Sequence, residues 1–390
     1  MGSVSVGIVG SGFAAGLHVD ALKRVYGVDV KIQAVASRSR PSADAFARRH
    51  GIPNSYATPE ELLADPSIDV VSICTPNAMH GSLVIEAAQA GKHVICEKPL
   101  TGSFGPTKDQ GLMRAIRERE EAQASLAAIK DALQRAGTQF LYAENWIYAP
   151  ATTKTKALMR TSGGSVVDIR AEQSHSGSHA PATRRRETAG GGALLTLGAH
   201  PIATALHLKA FEGELLCGKP IRVKSVTAET AALYASAAVR RSGSRNWLVN
   251  DWKDVETWAN LVMNFDDGTK AVVNASFAML GGIKNTFEVY TTNAVFHNNM
   301  TPNSSLQVYT PDHAAFGDEA LHEKLESRTG WISASPDEGW AKGYPQEMQD
   351  FVECVAEGRQ PVAGLELAGD VVQVIYAAYE SAEVAQRVKL

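Results

Sequence analysis

The chain has 390 residues and a formal net charge of −4, with 38 Lys and Arg against 42 Asp and Glu. That length allows two or three domains, each with a sizeable core, and the absence of a strongly basic tail or domain argues against a nucleic-acid partner. No apolar run approaches the roughly 20 residues needed to cross a bilayer; the four cysteines (Cys74, Cys96, Cys217 and Cys354) form no C-x-x-C pair, so a cytoplasmic protein with reduced thiols and no membrane contact is expected.

Val4–Val9 reads as a buried strand, with no charged leader or cleavage site before it. It runs into Gly10-Ser11-Gly12-Phe13-Ala14-Ala15 and an amphipathic helix to about Tyr26. A G-x-G-x-x-A turn between strand and helix fits a dinucleotide. Gly10 permits the tight turn, Gly12 lets a pyrophosphate reach the backbone beside Phe13, and Ala15 lets helix and strand pack closely. The helix N-terminus then offers unpaired N–H groups to phosphate. The second strand, Val30–Ala36, ends in Ser37-Arg38-Ser39-Arg40. An acid at this tip would bind the ribose 2′-hydroxyl of NAD, whereas an Arg accommodates the 2′-phosphate of NADP. No acid is present, so Ser37 and Arg38 favour NADP(H). The alternative is NAD, with Arg38 stacked on adenine.

The alternation continues. A helix covers Ser42–His50, and Thr58 caps another that begins at Pro59. Asp69–Cys74 is a third strand, leading to Thr75-Pro76-Asn77 and His80. Gly81–Ala90 is a helix stopped by Gly91. The short apolar run Val94-Ile95-Cys96 then ends in Glu97, Lys98 and Pro99. Strands alternating with helices imply a parallel, doubly wound sheet, and ligands bind outside the carboxyl ends of its strands. Thr75-Pro76-Asn77 and Glu97-Lys98-Pro99 therefore line the same crevice as the glycine turn. The bland alternative for Glu97 and Lys98 is a solvated pair on a loop.

Three stretches, the glycine turn, Cys-Thr-Pro-Asn-x-x-His at 74–80 and Ala-Gly-Lys-His-Val-Ile-Cys-Glu-Lys-Pro-Leu at 90–100, resemble the family of glucose–fructose oxidoreductase, inositol dehydrogenase and MocA. The resemblance implies a Rossmann domain over 1–143 and a C-terminal α/β domain over 144–390, built on a large, mostly antiparallel open sheet. It implies oxidation or reduction of a hydroxyl or ketone on a sugar, polyol or glycoside with NAD or NADP. Lys98 is then the catalytic lysine, and Glu97 lies near the nicotinamide end of the cofactor. Two other classes stay open: a redox-neutral glycoside-cleaving enzyme that recycles bound NAD, and a binding protein that senses nicotinamide.

Beyond Leu100 the chain departs from that pattern. Thr101–Pro106 and the start of a charged helix over Met113–Arg135 read as an insertion at about 101–125. It is either a lid or substrate contact, or a surface loop or oligomer contact. After a strand at Thr138–Ala143, Asn145 and Pro150 match the family and put Asn145 in the substrate site. Glu144 either faces the substrate or is a surface carboxylate.

Ser165–Ser174 is a strand. His175 and His179 would share a helix face and could hold zinc, but Ser176-Gly177-Ser178 between them argues for a loop. No metal is expected, and His179 is assigned to substrate binding. Arg184-Arg185-Arg186 defaults to a solvated run. Gly190-Gly191-Gly192 precedes a helix on which Thr196 and His200 share a face. His200 falls at the family's catalytic histidine position, where an imidazole suits proton transfer near neutral pH. Thr196 stands where the family commonly has Asp and would bind a substrate hydroxyl.

Strands follow at Ile221–Leu233, Thr257–Phe265, Thr269–Ala278 and Thr286–Tyr290, with a hairpin turn at Asp266-Asp267-Gly268. Trp247, Trp252 and Trp258 are expected to cluster between strands. The free face of this sheet would pair protomers into a homodimer or homotetramer. Residues 311–343 read as irregular, and Gln346–Glu357 and Leu365–Arg387 as closing helices.

Overall fold

The computed structural model describes residues 2–178, 180–301 and 306–390. Its first half carries β1 (Ser3–Val9), α1 (Phe13–Leu22), β2 (Asp29–Ala36), α2 (Arg40–His50), β3 (Asn54–Tyr56), α3 (Pro59–Leu63), β4 (Val70–Ile73), α4 (His80–Gln89), β5 (His93–Glu97), α5 (Gly111–Ala136) and β6 (Phe140–Ala143). Then come α6 (Pro150–Ser162), β7 (Val166–Ser174), α7 (Arg186–Ala189), α8 (Ala193–Thr196), α9 (Ala199–Cys217), β8 (Val223–Ala231), α10 (Ala237–Arg241), β9 (Trp258–Phe265), β10 (Lys270–Ser276), β11 (Lys284–Thr291) and β12 (Val295–Asn299). The chain closes with β13 (Gln307–Thr310), β14 (Gly330–Ser333), α11 (Glu338–Lys342), α12 (Tyr344–Glu357), α13 (Leu365–Val384) and β15 (Val388–Lys389).

These elements form two compact units. One comprises Met1–Ser103, Arg117–Tyr148 and Gly343–Val372; the other comprises Phe104–Ile116, Ala149–Lys342 and Gln373–Leu390. The first unit holds a parallel sheet in the order β3-β2-β1-β4-β5-β6. Val70–Ile73 is buried on both faces, as expected of a parallel strand covered by helices above and below. Strand order reverses between β1 and β4, the switch point where such sheets bind ligands. α12 returns to pack on α1. Tyr148 ties this return in: its hydroxyl donates to Asp350 at 2.7 Å and accepts from the Ala363 N–H at 2.9 Å.

The second unit holds a sheet in the order β12-β11-β7-β10-β9-β8-β15, parallel between β7 and β10 and antiparallel in its other pairings. Its strands alternate cleanly. Ile169, Ala171, Ala271, Val273, Phe287 and Val289 are buried on the side where α9 packs. Asp168, Arg170, Glu172, Asn274 and Glu288 occupy alternate positions on the opposite face. The β9–β10 hairpin closes at Gly268, whose φ is +91°.

Several expectations need correction. The three tryptophans have different surroundings. Trp252 is core, stacked 4.6 Å from Phe277; Trp247 is half exposed under the Arg245 guanidinium; Trp258 begins β9. The arginine run is not solvated as a whole: Arg184 pairs with Asp251 and Arg186 is buried against Tyr379, which leaves Arg185 exposed. Residues 311–343 are not wholly irregular, since β14 pairs with β13 and α11 follows. All four cysteines are unpaired thiols.

Candidate active site

The cofactor cradle follows from the turn after β1. Gly10 has φ +119°, and its N–H reaches the Ala36 carbonyl at 2.8 Å. A Cβ there would stand 2.4 Å from the Cys74 carbonyl oxygen, so only glycine fits. At Gly12 the opposite holds: a Cβ would meet no protein atom within 4 Å. Gly12 begins α1 without a side-chain cap, Phe13 is exposed on the first turn, and Ala15 is fully buried. The unpaired N–H groups of α1 thus face open space, as a pyrophosphate requires.

At the tip of β2, Ser37 is buried with its hydroxyl 2.7 Å from that of Ser11, and Arg38 is exposed. Ser39 caps α2, accepting from the Ser42 N–H. At the end of β4 the Thr75 hydroxyl is buried without a partner among the described residues, Pro76 is exposed, and Asn77 opens a 3₁₀ turn. The open space at Gly12, the uncapped helix and the orphaned Thr75 hydroxyl together fit a dinucleotide. His80 is placed differently. It is buried, and both ring nitrogens lie on backbone carbonyls, Pro99 at 2.8 Å and Thr75 at 2.9 Å. It braces the ends of β4 and β5, and burial holds its pKa below the ordinary value.

Glu97 ends β5 with its carboxylate held twice. Oε2 accepts the Lys98 N–H at 3.1 Å, and Oε1 lies 3.2 Å from His18 Nε2. Lys98 is half-buried and its bond to Pro99 is cis. His18 is the residue sequence reasoning missed. It is fully buried on α1, with Nδ1 2.8 Å from the Ser72 hydroxyl. Burial alone would lower its pKa, but Cys74 and Glu97 outweigh it and hold His18 well above the usual value. The available signal was a polar side chain one turn beyond Ala15, on a helix face that must pack against the sheet.

Two further acids lie inside this unit. Glu144 is fully buried, not a surface carboxylate. Glu347 on α12 is fully buried, and neither of its oxygens has a partner among the described residues. Burial pushes its pKa well above the carboxylate range, with Glu97 and Glu144 adding to the effect against His18. Asn145 is buried at the start of a 3₁₀ turn over Asn145–Ile147.

In the second unit, Gly190-Gly191-Gly192 leads into α8. Thr196 ends that helix, and His200 is the second residue of α9, nearly buried. The two do not ride one continuous helix as expected. The Gly198 N–H reaches back to the Ala193 carbonyl at 3.0 Å, and Pro201 has no N–H to carry the ladder across. His175 is buried and accepts the Gly177 N–H on Nδ1 at 3.0 Å; His179 lies outside the described residues. Among the described residues no group of three or more His, Cys, Asp or Glu is placed to hold a metal. The insertion is packed rather than loose where it enters this unit: the Gly105 N–H bonds the Glu187 carbonyl at 3.0 Å, and Phe104 lies against Gly190.

Residues 4–122 match the profile of an oxidoreductase family with an NAD-binding Rossmann fold, and residues 156–297 match the GFO/IDH/MocA C-terminal domain. A D-xylose 1-dehydrogenase (NADP(+)) of Haloferax volcanii is 28% identical over 386 residues, 98% of this chain and 99% of that one. A levoglucosan dehydrogenase of Pseudarthrobacter phenanthrenivorans is 30% identical over 53% of this chain and 52% of its own length. The crystal structure of GenD2 from gentamicin A biosynthesis, in complex with NAD, aligns over 100% of this chain and 97% of that one, with a TM-score of 0.79 and 26% identity. With both halves matching one family and the cradle built for its dinucleotide, the chain belongs to the GFO/IDH/MocA family of NAD(P)-dependent oxidoreductases.

Proposed function

We propose that this oxidoreductase oxidises a secondary hydroxyl, or reduces the matching ketone, on a sugar, polyol or glycoside. The observation that carries the reading is the Glu97-Lys98 pair at the end of β5: a carboxylate anchored by His18 and by the Lys98 N–H fixes the backbone from which the lysine side chain extends. When bound, the nicotinamide supplies or takes the hydride. Lys98 holds the reacting oxygen through an N–H bond, and His200 takes or returns the hydroxyl proton. Thr196, Asn145 and His179 orient the sugar. Gly10, Gly12, Phe13, Ala15, Ser37, Arg38, Thr75, Pro76 and Asn77 form the cofactor side, with His80 acting through the carbonyls it braces.

The full-length similarity to an enzyme named for D-xylose and NADP(+) supports both the sugar and the cofactor. The absence of an acid beside Ser37 and Arg38 favours NADP(H) over NAD. Residues 1–143 serve mainly the cofactor and 144–390 the substrate and assembly. The polar face of the second sheet carries a hollow of about 690 Å³ lined by Asp168, Arg170, Glu172, Lys284 and Glu288. Its mixed charges suit a second copy of the chain, giving a homodimer or homotetramer. Four unpaired thiols suit the cytoplasm. The test is a panel of aldoses, anhydrosugars, inositols and glycosides followed by reduced-nicotinamide absorbance, with NAD and NADP side by side. Steady accumulation of reduced cofactor with at least one sugar, faster with NADP, is expected. No reduction across the panel contradicts the reading.

A further inference from the structure

Three consecutive glycines make the loosest backbone a chain can present, yet Gly190–Gly192 is gripped from three sides within its own unit. The strongest hold is one carboxylate. Glu256, nearly buried just ahead of β9, accepts the Gly192 N–H on both oxygens at 3.0 Å and the Leu194 N–H on Oε1 at 3.0 Å. The Tyr379 hydroxyl donates to the same oxygen at 2.8 Å. Arg186 Nη1 stands 3.7 Å from Oε2, with its guanidinium 4.5 Å over the Tyr379 ring. The backbone carbonyl of Glu256 also accepts the Ala193 N–H at 2.9 Å.

The other two sides are as close. The Tyr376 hydroxyl donates to the Gly190 carbonyl at 3.3 Å. A Cβ at Gly192 would fall 1.9 Å from the Glu256 carbonyl oxygen, one at Gly191 would fall 2.1 Å from the Tyr379 hydroxyl, and one at Gly190 would fall 2.8 Å from the Phe104 ring. The N–H groups that Glu256 takes open α8 and have no carbonyl one turn back to bond. A side chain from a distant part of the chain thus converts a flexible turn into a fixed start for α8 and, four residues after Thr196, for His200.

We propose that Glu256 is the positioning residue of this site: its carboxylate sets where Thr196 and His200 stand without touching substrate or cofactor. The proposal rests on the reading of His200 as the proton-transfer residue. Glu256→Gln keeps the shape but turns an N–H toward the Gly192 N–H and toward Arg186, and Tyr379→Phe removes one donor. With the panel sugar turned over fastest, Glu256→Gln is expected to lower kcat 10- to 100-fold per cofactor-binding site. NADPH affinity, read by fluorescence, should stay within twofold, and amide exchange over residues 190–200 should quicken at least tenfold. Tyr379→Phe should show the same pattern at about threefold in kcat.

A kcat within twofold of the parent, or a loss that tracks the fraction of protein still binding cofactor, overturns the proposal, because the clamp would then be only a fold contact. Unchanged exchange over 190–200 overturns it equally. His200→Asn, assayed alongside, separates the two readings: retained turnover there removes His200 from the chemistry, while the exchange result still reports on the clamp.

Discussion

Replacing His18 by Leu tests how Glu97 is held. The substitution removes a bond to the Ser72 hydroxyl at 2.8 Å and one to the Glu97 carboxylate at 3.2 Å. The first is worth about 1 kcal/mol, and a bond to a charged group about 1.5–3 kcal/mol, so the loss is about 2.5–4 kcal/mol. For a chain of 390 residues that lowers the melting temperature by about 3–5 °C. The sign with pH follows from the raised pKa of His18. The stabilisation is complete below its unfolded value of about 6.5 and is lost as pH climbs through the folded one. The deficit of the Leu variant is therefore largest near pH 6 and shrinks toward pH 9.

Urea unfolding of the cofactor-free protein at several pH values measures this. A cycle with Glu97→Ala isolates the pair, for which a coupling of about 1–3 kcal/mol is expected. A coupling below about 0.5 kcal/mol, or a deficit that grows with pH, refutes the reasoning.

Other predictions follow from the same geometry. Arg38→Ala should weaken NADP(H) binding at least about tenfold, the loss of one charge-assisted bond, and leave NAD(H) within about twofold, both read by fluorescence titration. Gly10→Ala should fail to fold or bind, because its Cβ meets the Cys74 carbonyl at 2.4 Å with φ at +119°. Gly12→Ala should melt like the parent, since no protein atom lies within 4 Å of its Cβ, yet lose cofactor binding at least tenfold. Glu347 has a folded pKa raised above its unfolded one, so the parent loses stability as pH rises between the two. Glu347→Gln should therefore gain on the parent steadily above about pH 4.5, and a gap that does not move between pH 5 and pH 8 would contradict that.

The first unit was legible because local chemistry wrote it. A positive-φ glycine was needed at Gly10, Thr58 with Pro59 opened α3, and the largely apolar, fully buried β4 announced a parallel sheet. What stayed hidden was long-range. His18 and Glu347 are polar side chains on helices, and nothing in their own neighbourhood says that His18 bonds Glu97 or that Glu347 is buried. The break between α8 and α9 was masked because Thr196 and His200 have helical spacing, while Gly198 and Pro201 decide the backbone. The Arg184–Arg186 run read as solvated because its partners, Asp251, Asp254 and Glu256, lie some 65–70 residues further along. β12 escaped because an edge strand of Val-Phe-His-Asn-Asn carries little apolar alternation.

The central claim is that Lys98 acts on the reacting oxygen and does not serve binding alone. Lys98→Met, titrated with NADPH and then assayed with the best panel sugar, tests it most directly. The expected result is cofactor affinity within about threefold of the parent and a kcat lower by about 10²–10⁴-fold, the range for loss of a positioned proton-transfer group. A kcat within about threefold of the parent, with cofactor still bound, contradicts the account.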